Sequence, residues 1–274
     1  MKRALVIGQG RIGRAIGNSL VTHQIDVRLI SSRLNFSQSL SDIYFELSDF
    51  DIIIWVARDA GLPSNPNNCS NLFYDLLKLI EFTRWSGFFV FASSAGEIYG
   101  EVNTSGALES DSISPMSMYG HLKAIHEKKI IALSEKNSFQ LLILRISNVY
   151  ELSLNDSGIV GAILRSILRR ELLEISGGSQ IRDFISLSDL AIATTRLIIR
   201  QKTGVFNIAS GESISINKLE TILENKCQRK VDRKQIVAFE GIRNSRISNL
   251  KLRQTLGWEP KLFVEYLEEN YPFV

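Results

Sequence analysis

Ala4-Leu5-Val6-Ile7-Gly8-Gln9-Gly10-Arg11-Ile12-Gly13 sets an apolar, strand-like run against a G-x-G-x-x-G loop, and Arg11 to Val21 continues with helical patterning. A strand before and a helix after give that glycine pattern a mechanism. The glycines allow a tight turn and close approach of a pyrophosphate, whose charge rests against the helix N-terminus. A bare strand–helix turn would have the same spelling, so the following elements carry weight. The first of these is a second strand, Asp26 to Ile30, ending in Ser31-Ser32-Arg33. An acidic residue about 20 positions after the loop would grip a ribose 2′-hydroxyl and select NAD. Two hydroxyls and an arginine stand there instead, which suits the 2′-phosphate of NADP, with Arg11 as a second positive group. A merely solvated Arg33 is the plainer alternative.

Downstream, the alternation persists. Only 15 residues separate Arg33 from Asp49, too few for a full strand and two helices, so one βα step reads as shortened or lost. Asp51 to Ala57 is a buried-type strand, Gly61 to Asn68 a turn-rich loop, and Asn71 to Trp85 a helix. Phe88 to Ala92 runs as a strand into Ser93-Ser94-Ala95-Gly96-Glu97-Ile98-Tyr99-Gly100, and Leu141 to Ile146 is another strand. Strands and helices at this spacing argue an α/β, doubly wound parallel sheet. After Tyr150 come helices at Ile159 to Arg170, Leu187 to Arg200, Ser215 to Asn225 and Leu250 to Leu256, with strands near Ile185 and at Gly204 to Ile208.

Between Phe88 and Leu141 a helix carries Tyr119-Gly120-His121-Leu122-Lys123. Positions four apart share a helix face, so Tyr119 and Lys123 can enter one cavity together. A free tyrosine titrates near pH ~10 and a nearby ammonium favours its phenolate, which prepares it for proton exchange with a sugar or alcohol oxygen. A half-buried tyrosine beside a solvated lysine would have the same spacing. His121, on another side of this helix, reads as a surface histidine, as do His126 and His23.

The 274 residues suffice for one large domain or a domain with a lobe, and 45% apolar with 22% charged residues is ordinary for a globular chain. The start has no signal-peptide h-region, apolar runs are strand-sized, and Cys69 and Cys227 lack metal-ligand spacing, so a reduced cytoplasm is the expected location. No metal site is expected. A net charge of +3 does not call for nucleic acid, and no membrane partner is implied. The basic set Arg229, Lys230, Arg233, Lys234, Arg243 and Arg246 reads as a solvated face, part of which suits phosphate.

In their order, these landmarks resemble the extended short-chain dehydrogenase/reductase superfamily, in its nucleotide-sugar epimerase, dehydratase and reductase branch. The resemblance runs nearly the whole length. It includes Arg145 with Asn148, Arg182-Asp183-Phe184-Ile185 followed by Asp189, Asn207 with Gly211, and Leu256-Gly257-Trp258-Glu259-Pro260. It implies a Rossmann-type NADP-binding domain over residues 1–155, completed by about 186–210. A smaller carboxyl-terminal substrate-binding lobe would comprise 156–185 and 211–274. The implied cofactor contacts are Gly8, Gly10, Arg11, Ile12, Gly13, Ser32, Arg33, Ala57, Tyr119 and Lys123. Tyr119 would be the catalytic acid/base, with Lys123 on the nicotinamide ribose; Arg182, assisted by Arg246, would grip a substrate diphosphate, with Asn148 beside the substrate.

Three departures stand out. The usual catalytic Ser or Thr, four residues before the Tyr of the Tyr-Gly pair, is Ala95 here, and Ser94 takes the hydrogen bond to the reacting oxygen, with Ser93 as fallback. Ile7 stands where many members have a further glycine. The shortened step after Arg33 removes an acidic residue that often contacts adenine. The expected activity is NADPH-dependent reduction of a nucleoside-diphosphate-linked 4-keto-6-deoxy sugar, for example dTDP-4-dehydro-6-deoxyglucose, for surface polysaccharide. A nucleotide-sugar 4-epimerase with bound NAD is the alternative, and a non-catalytic NADP-binding regulator the second. By analogy with members that pair through the tyrosine helix, a homodimer is expected.

Overall fold

The computed structural model describes residues 1–31, 47–57, 66–103, 105–236 and 239–272, with only the backbone of 66–71. Strand β1 (Arg3–Ile7) leads through the glycine loop into helix α1 (Arg11–Val21), and β2 (Asp26–Ile30) follows. Next come β3 (Ile52–Trp55), α2 (Pro66–Thr83), β4 (Phe88–Ser94), the single turn α3 (Ala95–Ile98), α4 (Met118–Asn137) and β5 (Gln140–Ile146). The remaining chain forms β6 (Asn148–Tyr150), α5 (Ile159–Arg169), β7 (Leu173–Ile175), β8 (Ile181–Ser186), α6 (Leu187–Ile199) and β9 (Gly204–Ile208). It ends with β10 (Ser213–Ser215), α7 (Ile216–Cys227), β11 (Arg233–Gln235), α8 (Leu250–Leu256) and α9 (Phe263–Asn270).

The parallel central sheet has the order β2-β1-β3-β4-β5-β9. Such a sheet is covered on both faces, so its strands are apolar without alternation; Ile52, Ile53, Ile54 and Trp55 are all buried. The predicted shortened step falls on residues 32–46, outside the described residues, and among those described β2 is the edge strand. Much of the predicted loop at Gly61 to Asn68 is likewise outside them, but its last residues are helical. Helix α2 begins at Pro66 and not at Asn71, because proline at the first helical position loses no needed N–H and presets φ.

The chain divides into two compact units. The first comprises residues 1–93, 122–144 and 194–206, the second 94–121, 145–193 and 207–274. Leu5, Ile7, Trp55, Phe73, Phe89, Phe91 and Ile130 lie in the core of the first. The second has its own core of Tyr150, Ile163, Leu164, Phe184, Leu219 and Phe263, around a small sheet ordered β10-β8-β6. At the end of α8, Gly257 adopts φ 59°, the left-handed cap its position in the sequence requires.

Candidate active site

In the first unit, Gly8, Gln9, Gly10, Arg11, Ile12, Gly13, Arg14, Ser31, Val56 and Ala57 line a concavity of about 420 Å³. The glycines have different reasons to be there. A Cβ on Gly13 would lie 1.9 Å from the Gly8 carbonyl oxygen, and one on Gly8 2.7 Å from the Ala57 nitrogen, so both are required by packing. A Cβ on Gly10 would meet nothing within 4 Å. Helix α1 has no side-chain cap and no acidic residue in its first turn, leaving its positive end available to an anion. Open space at Gly10 beside that helix end fits a dinucleotide pyrophosphate. Ser31 lines the same concavity just past β2; Ser32 and Arg33, the expected NADP-selecting pair, lie outside the described residues.

Helix α4 carries both Tyr119 and Lys123. Lys123 is only 2% exposed, its Nζ donates to the Ala92 carbonyl at 3.2 Å, and the ammonium stands 5.1 Å from the centre of the Phe91 ring. A buried cation held by a carbonyl and a ring face is far from the solvated lysine of the plainer reading. One turn further on lies His126, a correction to the surface position expected for it. It is fully buried against Phe73, whose ring centre is 4.4 Å away, with Tyr74 and Phe91 near. Burial, helped by the Lys123 charge, pushes its pKa down to about 3. His121 and His23 are exposed, as expected.

In the second unit, Tyr119 is half-buried in the first turn of α4. Ser94 precedes α3 half-buried, and its side chain makes no cap bond, whereas Ala95 is 1% exposed. Asn148 donates through Nδ2 to the Asp183 carbonyl at 3.0 Å, with Gly96 close by. Arg182 donates to the carbonyls of Ile181, Ile242 and Arg243 and faces the Phe239 ring. Burial lowers its pKa, opposed by the charges of Glu97 and Glu101. Among the described residues these three bonds come from its two terminal nitrogens, Nη1 and Nη2. Arg246 is half-buried, its backbone carbonyl accepting from the Ala107 amide.

The unit also unites residues that sequence reading could only name separately. Tyr99 donates its hydroxyl proton to Asn207 at 2.7 Å and accepts from the Arg145 guanidinium at 2.9 Å. Burial raises the Tyr99 pKa despite Arg145, so this phenol stays a neutral donor. Glu109, absent from the sequence argument, joins them by accepting from the Asn207 amide. Asp183, fully buried, accepts from the Ser210 amide and hydroxyl and from the Gly211 amide. Of the basic set, Arg233 is engaged by Glu220, Asn217 and the Gly177 carbonyl, and Lys230 and Lys234 pair with Glu224 and Glu174.

Among the described residues no group of three or more His, Cys, Asp or Glu is arranged to hold a metal, and no helix is long and apolar enough to cross a membrane. The family model described as the NAD dependent epimerase/dehydratase family matches residues 4–209. The "Putative UDP-glucose 4-epimerase" of Methanocaldococcus jannaschii is 26% identical over 281 aligned positions, 93% of this chain and 92% of that protein. The dTDP-4-dehydro-6-deoxyglucose reductase of Escherichia coli is 29% identical over 186 positions, 64% of this chain and 57% of the relative. The UDP-glucose 4-epimerase of Thermotoga maritima, solved with UDP-glucose, is alike in fold, with a TM-score of 0.83 at 22% identity over 98% of this chain and 99% of that one. Relatives and fold neighbours are nucleotide-sugar epimerases, dehydratases and reductases, and the enzyme is of the nicotinamide-dinucleotide oxidoreductase and epimerase type. The match runs from β1 through the glycine loop and the Tyr119 helix to the end of β9, and on it the chain belongs to the NAD-dependent epimerase/dehydratase family.

Proposed function

We propose that the protein reduces a nucleoside-diphosphate-linked 4-keto-6-deoxy sugar with NADPH, with dTDP-4-dehydro-6-deoxyglucose the first compound to test. The observation that carries the cofactor choice is Ser31. It lines the concavity of the glycine loop just past β2, near where an acidic residue would select NAD. With Ser32 and Arg33 next in sequence, that position favours a 2′-phosphate. The Gly8–Gly13 loop, with Ala57 beside it, would hold NADPH, which when bound would supply the hydride. Tyr119 protonates the oxygen that gains charge, Ser94 donates a hydrogen bond to it, and Lys123 holds the ribose and favours the phenolate. The Arg182 guanidinium, with Arg246, suits the diphosphate, and Asn148 orients the sugar.

A second reading, a 4-epimerase with retained NAD, is favoured by the similarity to the Methanocaldococcus jannaschii protein over 93% of this chain. Tyr119 would then take a proton from the sugar hydroxyl and return it to the ketone oxygen. Dissociation constants for NADPH and NADH, on wild type and Arg33→Ala, separate the readings. A charge-assisted bond to the 2′-phosphate is worth roughly 1.5–3 kcal/mol, so wild type is expected to prefer NADPH by about ten- to a hundredfold. Arg33→Ala should lose that preference while keeping its NADH affinity. Equal wild-type affinities would put the epimerase first.

A further inference from the structure

We propose that Glu97 is a positioning residue for the acid/base helix, fixing the first turn of α4, and so the Tyr119 side chain, through Ser117. The proposal rests on the reading of Tyr119 as the proton donor. Ser117 lies immediately before α4, and its Oγ accepts from the Gly120 N–H at 2.9 Å, the bond of a helix cap. Its hydroxyl proton goes to Glu97 Oε2 at 2.6 Å. A serine hydroxyl rotates freely among acceptors. With the hydroxyl donating to the carboxylate, a lone pair of Oγ faces the Gly120 amide, and the carboxylate charge strengthens both bonds.

Glu97 also meets this turn through its backbone. A Cβ on Gly120 would lie 2.6 Å from the Glu97 carbonyl oxygen and 3.0 Å from Pro115 Cβ, so the helix start has no slack against α3. Tyr119 sits between Met118 and Gly120, in a turn that Glu97 holds by both side chain and main chain. The direction of its Cα–Cβ bond follows from that turn's backbone. Glu97 follows Ser94 in the same short turn. One segment therefore supplies the hydrogen-bond donor and orients the proton donor. The same carboxylate lies within electrostatic reach of Arg182.

The test combines hydrogen exchange of the α4 first-turn amides with kcat and KM for dTDP-4-dehydro-6-deoxyglucose in the presence of NADPH, on Glu97→Ala, Glu97→Gln, Ser117→Ala and Ser117→Thr. Losing either partner should speed exchange at 118–121 and lower kcat, each by about tenfold, the scale of one helix cap. KM should stay unchanged. Ser117→Thr keeps the cap and Glu97→Gln keeps an acceptor, so both should recover exchange protection and most of kcat. Unaltered exchange in Glu97→Ala would overturn the proposal. So would a Glu97→Gln variant as slow as Glu97→Ala with normal protection, since Glu97 would then act on the substrate itself. Exchange needs no turnover, so a wild type inert toward this sugar would count against the reductase reading and leave the anchor to be decided by exchange.

Discussion

Tyr119 and Lys123 are one helical turn apart in unlike surroundings, the phenol half-buried and the ammonium buried beneath the Ala92 carbonyl. Tyr119→Phe keeps the ring and removes the transferable proton. Turnover should fall by ~10²–10⁴ while NADPH affinity, read by titration, hardly moves. Lys123→Met should lower both. His126, on the buried side of the same helix against Phe73, sets an acid limit on the fold. Its folded pKa of about 3 lies below the 6.5 of an unfolded histidine, so as pH falls the unfolded chain takes up the proton first. The stability it permits is complete above pH 6.5 and drains away toward pH 3. Between pH 7 and pH 5 the loss amounts to about 2 kcal/mol. Urea unfolding at these two pH values should show His126→Leu losing less than wild type by that order; an equal loss would mean that this histidine does not couple to folding.

The loop between β1 and α1 offers a comparison that separates folding from binding. Gly13→Ala drives a Cβ into the Gly8 carbonyl and should cost roughly 2–4 kcal/mol of stability, visible as a lowered urea midpoint. Gly10→Ala meets open space, so the midpoint should hold while NADPH binding weakens by about tenfold or more. If Gly10→Ala leaves NADPH affinity intact, the pyrophosphate does not rest there. This element was readable in the sequence because its signals are local: an apolar strand, glycines at fixed offsets and a helical pattern lie side by side. The strand ends around Tyr99, Arg145 and Asn207 were not. Their hydrogen bonds span 46 and 108 residues and exist only once the sheet order is set. His126 was misplaced for another reason. Helix α4 is rich in charged residues, and its polar spelling hid the fact that 119, 123 and 126 follow the i, i+4, i+7 spacing of a single face.

On the scale of the whole chain, the strand–helix alternation defined the doubly wound sheet, and the ordered landmarks defined the family before any coordinates. The substrate was less legible, because Arg182, Arg246 and Asn148 belong to a unit built from three separate stretches of sequence. A sugar reductase and a sugar epimerase differ in what becomes of the hydride. A reductase consumes the cofactor's hydride; an epimerase returns it. The measurement that tests the central claim most directly is therefore the stoichiometry of NADPH consumed against dTDP-4-dehydro-6-deoxyglucose converted, with UDP-glucose run in parallel. The account predicts that NADPH disappears mole for mole with the ketone and that UDP-glucose is left unchanged. Isomerisation of UDP-glucose without net loss of NADPH, with the keto sugar left untouched, would contradict it.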